Sequence, residues 1–85
     1  DRETAVELLL ERLMHIYPED LRVKYAIDFS EAEPVCEVMA KIAVARGCLK
    51  AGGVLDIDKV IQLVLRDFRT GRLGRFTLDE PSENN

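Results

Sequence analysis

The sequence predicts an all-α protein, a small bundle of four to five short helices followed by an extended C-terminal tail. Two observations support this fold class. Apolar residues recur at intervals of three and four along three long stretches, which is the periodicity of an amphipathic helix. Proline, glycine and short polar residues separate these stretches, and such residues are typical of helix ends.

The first helix is predicted to begin at Thr4, because Thr4 and Glu7 have the spacing of a capping box. It is predicted to end before Pro18. Its inward face consists of six residues at helical spacing: Val6, Leu9, Leu10, Leu13, Met14 and Tyr17.

A short second helix is predicted from Pro18 to Ile27, because proline is well tolerated at the first helical position. Leu21 and Tyr25 are predicted to face inward, with Ile27 as a third candidate.

The start of the third helix is left open by the sequence. Ser30 and Glu33 again have capping-box spacing, but Pro34 would then remove the first intrahelical hydrogen bond, so a start at Glu33 is the alternative. Gly47 is predicted to end this helix in the left-handed conformation. Its inward stripe is predicted to be Val35, Val38, Met39, Ile42 and Ala45.

Gly52 and Gly53 are predicted to form a plain turn, since no lysine followed by serine or threonine comes after them, as a phosphate-binding Walker loop requires. Asp56 is predicted to cap the fourth helix. Leu63 falls outside the apolar stripe of this helix. The stripe itself is Ile57, Val60, Ile61, Val64, Leu65 and Phe68.

Gly71 is predicted to end the fourth helix, and residues 71–80 are predicted to be extended, with Leu73, Phe76 and Leu78 against the bundle. Residues 1–80 would then form one helical domain, and residues 81–85 a disordered tail. The chain starts with Asp1 and almost inside a helical pattern, so we expect it to be part of a longer protein. The predicted core is Leu9, Leu13, Val38, Ile42, Val60, Ile61, Val64 and Phe68.

The composition predicts neither membrane insertion nor secretion. No apolar run approaches the roughly 18 residues that a membrane span needs, and the start lacks the pattern of a signal peptide. Cys36 and Cys48 are too few and too far apart for a zinc site, so we expect two free thiols in a reducing compartment.

No catalytic, metal or cofactor site is predicted in this chain. His15 has no nearby cysteine or second histidine to share a metal, and no nucleophile motif accompanies it. The sequence has no glycine-lysine pair, and its asparagines are Asn84 and Asn85, which leaves no Asn-Lys-x-Asp motif for guanine. We therefore expect no enzyme activity from this segment alone.

The net charge of −4 conceals an asymmetry along the sequence. Residues 1–40 carry ten acids and four bases, a balance of −6, whereas residues 41–76 carry eight bases and three acids, a balance of +5. The last nine residues add three acids. Any binding of a polyanion is therefore expected in the second half.

Basic residues lie opposite the apolar face of the fourth helix and continue into the tail. Contacts from basic residues to phosphates position a protein on RNA without recognising the RNA sequence. For each basic residue, the alternative is that it simply belongs to a solvated helix face. Arg2, Arg12 and Arg22 lie among acids and are expected to contribute little to binding. The predicted RNA-binding residues are Lys59, Arg66, Arg69, Arg72 and Arg75.

Two segments carry a resemblance to a known family. The later one, at residues 46–81, reads RGCLKAGGVLDIDKVIQLVLRDFRTGRLGRFTLDEP and resembles the C-terminal end of ribosome biogenesis GTPase A and its mitochondrial counterparts. The earlier one, at residues 9–25, reads LLERLMHIYPEDLRVKY and resembles the start of that family's C-terminal domain. The most specific residues are Arg46-Gly47-Cys48, Gly52-Gly53 with Asp56, and Asp67-Phe68-Arg69 followed by Gly71, Leu73, Gly74 and Thr77-Leu78.

The resemblance implies a parent protein with an N-terminal, circularly permuted GTP-binding domain that uses GTP and Mg²⁺. That parent assists late assembly of the large ribosomal subunit, and its helical domain, similar to a fold of transcription antiterminators, helps it dock on ribosomal RNA. The implied partners are large-subunit rRNA and the parent's own GTPase domain, without a membrane. The implied location is the cytoplasm, or alternatively the mitochondrial matrix.

The sequence also fits a function in protein interaction. The chain could be a protein-interaction or regulatory module that packs on the parent's GTPase domain. Leu63, off the main stripe, and the acidic first helix would suit such an interface.

Overall fold

The computed structural model describes residues 1–70 of the chain. These residues form four α-helices, which confirms the predicted all-α class. The predicted extended tail and disordered end, at residues 71–85, lie outside the described residues. The helices are α1 (Arg2–Ile16), α2 (Pro18–Tyr25), α3 (Val35–Arg46) and α4 (Ile57–Arg69), with a short 3-10 turn at Ala51–Gly53.

The N-cap of α1 lies three residues earlier than predicted. Asp1 is the N-cap, and its Oδ1 atom accepts a hydrogen bond of 2.8 Å from the backbone N–H of Thr4. The prediction of Thr4 as the cap is wrong because Asp1 already satisfies that amide, which leaves Thr4 inside the first turn.

Tyr17 joins α1 to α2 without a loop. Its backbone N–H donates to the carbonyl of Leu13 at 2.8 Å, and its carbonyl accepts from Leu21 at 3.1 Å. Pro18 occupies the first turn of α2, as predicted. This helix ends at Tyr25 rather than Ile27, because Ala26 adopts the left-handed conformation with φ of 56°.

α3 begins at Val35, after Pro34 as its N-cap, which is later than both predicted starts. Ser30 and Glu33 do interact, since the Ser30 N–H donates to Oε1 of Glu33 at 3.1 Å. The same pair closes a turn through a 2.9 Å hydrogen bond from the Glu33 N–H to the Ser30 carbonyl. The capping-box residues therefore shape the turn before the helix rather than its first turn.

A tight loop connects α3 to α4. Gly47 ends α3 with φ of 68°, and Leu49 and Leu55 pair in a single antiparallel bridge. Gly52 and Gly53 both have positive φ inside this loop, as the predicted turn requires. Asp56 then caps α4, as predicted, by accepting from the Lys59 N–H at 3.2 Å.

The core lies between the four helices, and seven of the eight predicted core residues are buried in it. Phe68 is the exception, since it is partly exposed and packs against the edge of the core, whereas its neighbour Asp67 is buried. In α3 the predicted Ala45 is exposed and Ala43 is buried instead. Ala43 follows the buried Met39 by four positions, so it lies one turn further along the same face of the helix. The buried apolar residues are Val6, Leu9, Leu10, Leu13, Met14, Leu21, Tyr25, Phe29, Val38, Met39, Ile42, Ala43, Cys48, Val60, Ile61 and Val64.

None of the helices in residues 1–70 is long and apolar enough to cross a bilayer. Both cysteines are free thiols, with Cys36 exposed and Cys48 buried. In the same residues, no three histidine, cysteine or acidic side chains gather in a way that could hold a metal ion.

Candidate nucleic-acid interface

A concave groove of about 690 Å³ on the surface of the bundle has a strongly basic lining. Its cationic side chains come from three elements that are distant in sequence. They are Arg2 at the start of α1, Arg46 at the end of α3, and Lys59, Arg66 and Arg69 on α4. Cys48, Gln62, Leu63 and Leu65 complete the lining, so no carboxylate of residues 1–70 takes part in it.

Three of the five predicted RNA-binding residues meet in this groove. Lys59, Arg66 and Arg69 are spaced by seven and three positions, which confines them to about 80° of arc on an α-helix. Arg72 and Arg75 lie outside the described residues. The assignment of these five residues to RNA binding stays a prediction.

Arg2 lies at the boundary between the basic groove and an acidic depression. Because α1 packs on α4, Arg2 lines the groove beside the α4 cations, which the sequence did not predict. It also shares a depression with Asp1, Glu3 and Asp58, so the expectation that it lies among acids agrees with the structure. Arg46 was also missed as a site residue, although the Arg46-Gly47-Cys48 motif was a signal in the sequence.

Arg46 is held firmly at its position in the groove. Its Nη2 atom donates a hydrogen bond to the backbone carbonyl of Lys24 at the end of α2. Its guanidinium carbon also lies 5.4 Å from the centre of the Tyr25 ring, within the range of a cation–π interaction. Both contacts cross from α3 to α2, so they fix the side chain in one orientation.

Behind the groove, Asp67 connects α4 to α2. Asp67 is 2% exposed, and its Oδ2 atom accepts a hydrogen bond of 3.0 Å from the Tyr25 hydroxyl. Burial, followed by the nearby charge of Asp67, raises the pKa of Tyr25 well above its ordinary value, so the phenol remains a donor. The other carboxylate oxygen, Oδ1, lies 3.8 Å from Nε of Arg66, whose side chain is 55% exposed.

Two basic residues elsewhere on the described surface, Arg22 and Lys41, are already engaged in ion pairs. Arg22 donates to Glu19 at 3.1 Å, to Asp28 at 3.2 Å, and to the carbonyl of Phe29 at 2.9 Å. Lys41 lies 2.8 Å from Oε2 of Glu33, and this hydrogen bond holds the pKa of Glu33 below its ordinary value.

The outer cations of the groove differ from Arg22 and Lys41. Arg2, Lys59 and Arg69 form no side-chain hydrogen bond or ion pair with residues 1–70. Clustered cations without neutralising carboxylates raise the local positive potential and attract anions. The groove therefore has three cations that make no such contact and can meet an anionic ligand. Its other two cations, Arg46 and Arg66, are held by contacts within the fold.

A second surface, between α2 and α3, is mainly apolar. Val44, 66% exposed, lies there with Ala26, Ile27, Ala40 and Ala45 around a shallow depression of about 400 Å³. Leu63, in contrast, is partly buried against the core and lines the basic groove. Leu63 therefore contacts the core although it lies off the main stripe, and its role in a protein interface stays a prediction.

Known proteins similar to this chain share most of its length. This chain is 45% identical to ribosome biogenesis GTPase A of Priestia megaterium over 67 aligned residues, and the alignment covers 79% of this chain. The resemblance to the C-terminal domain of ribosome biogenesis GTPase A is confirmed. Ribosome biogenesis GTPase A of Bacillus cereus is 42% identical over 67 residues and again covers 79% of the chain.

A more distant relative is the guanine nucleotide-binding protein-like NSN1 of Arabidopsis thaliana, 34% identical over 70 residues and 81% of this chain. The chain spans only a minor part of each relative: 23% of the Priestia ribosome biogenesis GTPase A, 22% of the Bacillus cereus protein and 12% of the Arabidopsis protein. No family model matches the chain.

Proposed function

We propose that this chain is the ribosome-docking helical domain of a GTPase that assists late assembly of the large ribosomal subunit. The observation that carries the proposal is the groove, in which five cations from three helices meet without a carboxylate from residues 1–70. Its cations bind rRNA phosphates. The similarity to ribosome biogenesis GTPase A supplies the ribosomal context.

Phosphate binding suits these cations for a thermodynamic reason. Each phosphate that is neutralised releases condensed counterions, and this release favours the complex at moderate salt. The proposed contacts are Lys59, Arg66 and Arg69 together with Arg2 and Arg46. The proposal also includes Arg72 and Arg75, which lie outside the described residues, because they follow Arg69 in the sequence and add two further positive charges.

In this proposal, GTP and Mg²⁺ are bound and GTP is hydrolysed in the N-terminal domain that the resemblance implies. The chain itself then acts as a docking domain without a cofactor or a catalytic residue of its own. Saturable binding of a labelled guanine nucleotide to the 85-residue chain would contradict this division of roles. The bacterial relatives favour the cytoplasm, and the mitochondrial matrix is the alternative.

The proposal is tested by measuring binding of the 85-residue chain to large-subunit rRNA and to precursor particles. The double variant Arg66→Glu/Arg69→Glu is expected to lower the affinity by roughly a factor of ten or more, because two phosphate contacts become repulsive. Arg12→Glu/Lys50→Glu changes the net charge equally at two exposed residues that do not line the groove. This control is expected to bind nearly as the parent chain does.

Circular dichroism should show unchanged helicity in both double variants, because none of the four side chains is in the core. If both variants bind rRNA and particles as tightly as the parent chain, the docking proposal fails.

The second candidate is a protein-interaction or regulatory module that packs on the parent's GTPase domain. It is favoured by the exposed apolar surface around Val44, since such patches commonly mark protein contacts. Val44→Asp should then weaken association with the separately purified GTP-binding domain and leave RNA affinity unchanged. Association that is insensitive to Val44→Asp would remove the support for this candidate.

A further inference from the structure

The basic groove combines a cationic rim with an apolar floor, and a phosphate alone matches only the rim. We propose that the groove holds an unpaired RNA nucleotide, with its phosphates on the rim and its base on the floor. This inference rests on the proposed function and specifies which part of an RNA the groove accepts.

The apolar lining residues of the groove are Cys48, Leu63 and Leu65. Leu63 and Leu65 are two positions apart on α4 and therefore project about 160° apart around the helix, so we take Cys48 and Leu63 as the floor. Leu63 and Leu65 are partly buried hydrophobic residues that pack on the core, and Cys48 is 7% exposed. Apolar surface that remains in contact with water gains about 25 cal/mol for each Å² that a ligand covers. A phosphate cannot supply that gain, because it remains hydrated, whereas the face of a base can.

The rim supplies the complementary contacts. Arg2, Lys59 and Arg69 have no partner among residues 1–70 and can meet the phosphates on either side of the nucleotide. Arg46 presents a guanidinium plane whose position is fixed by Lys24 and Tyr25. Guanidinium planes stack on unpaired bases in RNA complexes, and Gln62 adds an amide that can hydrogen-bond a base edge.

A regular duplex does not match this shape. Bases of A-form RNA are stacked inside the helix, and side chains cannot enter the deep, narrow major groove. Bulges and loops expose single bases that can leave the stack. The groove volume of about 690 Å³ lies inside the range of roughly 300–1,000 Å³ that is typical of sites for small organic ligands.

The test compares three RNAs that share one stem: a fully paired duplex, the same stem with one bulged adenosine, and the same stem with an abasic nucleotide at the bulge. The abasic RNA has the same phosphates and the same backbone freedom as the bulged RNA but lacks the base. We expect the 85-residue chain to bind the bulged adenosine about tenfold more tightly than either control, as measured by fluorescence anisotropy. The salt dependence should be nearly equal for the bulged and abasic RNAs.

A variant pair assigns the preference to the floor. Leu63→Ser is expected to remove most of the difference between the bulged and abasic RNAs while the affinity for the abasic RNA is kept. Leu8→Ser is the matched control, because Leu8 is 59% exposed on α1 and does not line the groove. Thermal unfolding of both variants separates a loss of fold from a loss of the base contact.

The outcomes distinguish this inference from the proposed function. Equal affinity for all three RNAs would mean that phosphates alone bind, which overturns the inference and leaves the docking proposal intact. Failure to bind any of the RNAs or ribosomal precursor particles would overturn both. Displacement of the bulged RNA by an acidic, leucine-containing peptide at equal concentration would assign the groove to a protein partner and also overturn the inference.

Discussion

The Tyr25 hydroxyl donates a hydrogen bond of 3.0 Å to Oδ2 of Asp67, across 42 residues of sequence. Both side chains are buried. Helices α2 and α4 each pack on α1 and α3 rather than on one another, so this hydrogen bond is a direct connection between them. It also places a negative charge directly behind Arg66, one of the groove cations.

Removing this connection should destabilise the fold. Tyr25→Phe leaves the buried Asp67 carboxylate without its phenol donor, so we expect the free energy of unfolding to fall by about 1–3 kcal/mol in a urea titration. Val23→Ala, at an exposed position on the same helix, should change it by no more than about 0.5 kcal/mol. An equal effect of the two substitutions would show that the hydrogen bond contributes nothing to stability.

The raised pKa of Tyr25 predicts a loss of stability in alkali. Above about pH 10 the phenol ionises in the unfolded chain but stays protonated in the native one, so the unfolded state binds fewer protons and stability falls as the pH rises. Below pH 10 this contribution is fully present. Unfolding followed by circular dichroism from pH 8 to 11.5 should show the decline, and Tyr25→Phe should show a shallower one.

Full burial, rather than apolar character alone, should determine the cost of core substitutions. Leu13 is completely buried, so Leu13→Ala is expected to lower the free energy of unfolding by about 2–5 kcal/mol. Phe68 is only partly buried at the edge of the core, and Phe68→Ala should cost less than Leu13→Ala despite removing more atoms. Chemical denaturation of the two variants measures both free energies of unfolding. A larger loss for Phe68→Ala than for Leu13→Ala would contradict the prediction.

The α3–α4 loop should be sensitive to its glycines through the backbone alone. Gly52 has φ of 79°, and a Cβ atom added there would meet no other atom within 4 Å. Gly52→Ala is therefore expected to cost about 1–2 kcal/mol from left-handed strain, without any clash. Gly52→Asn should cost less, because asparagine tolerates this conformation better. Thermal unfolding of both variants checks the order, and equal midpoints for alanine and asparagine would argue against backbone strain.

Arg2 offers a direct test of the groove. If its guanidinium contacts an RNA phosphate, Arg2→Gln should reduce the slope of log affinity against log salt by about 0.7 to 0.9. Lys50→Gln removes the same charge from a loop residue that does not line the groove, and its slope should match that of the parent chain. If Arg2→Gln leaves this slope unchanged, Arg2 does not contact an RNA phosphate and is simply a solvated residue at the start of α1.

The sequence predicted what depends on local periodicity. The stripe through Val60, Ile61 and Val64 follows from the helical repeat, and it fixes Lys59, Arg66 and Arg69 on the other side. The role of Asp67 could not be predicted in this way, because its burial depends on a hydroxyl that is distant in sequence.

The position of Arg2 likewise could not be predicted from the local sequence. Its position is set by how α1 packs on α4, which the hydrophobic pattern of α1 does not specify. At the start of α1, two residues have sequence patterns of an N-cap: Thr4 fits a capping box and Asp1 fits a simple cap. Sequence patterns identify both residues as possible caps, and the hydrogen bond from the Thr4 N–H to Asp1 shows which of them caps the helix.

Because the groove is assembled from α1, α3 and α4, it exists only after these helices have come together. In an unfolded copy, Arg2 is far along the chain from the other four cations, and those four no longer face one ligand from a fixed surface. Under the proposed function, RNA that contacts all three helices therefore prefers the native state, and it stabilises that state by an amount that grows with the logarithm of RNA concentration over the dissociation constant. A copy in which α1 or α3 has separated from α4 would then bind RNA more weakly, so RNA affinity reports how these helices are packed.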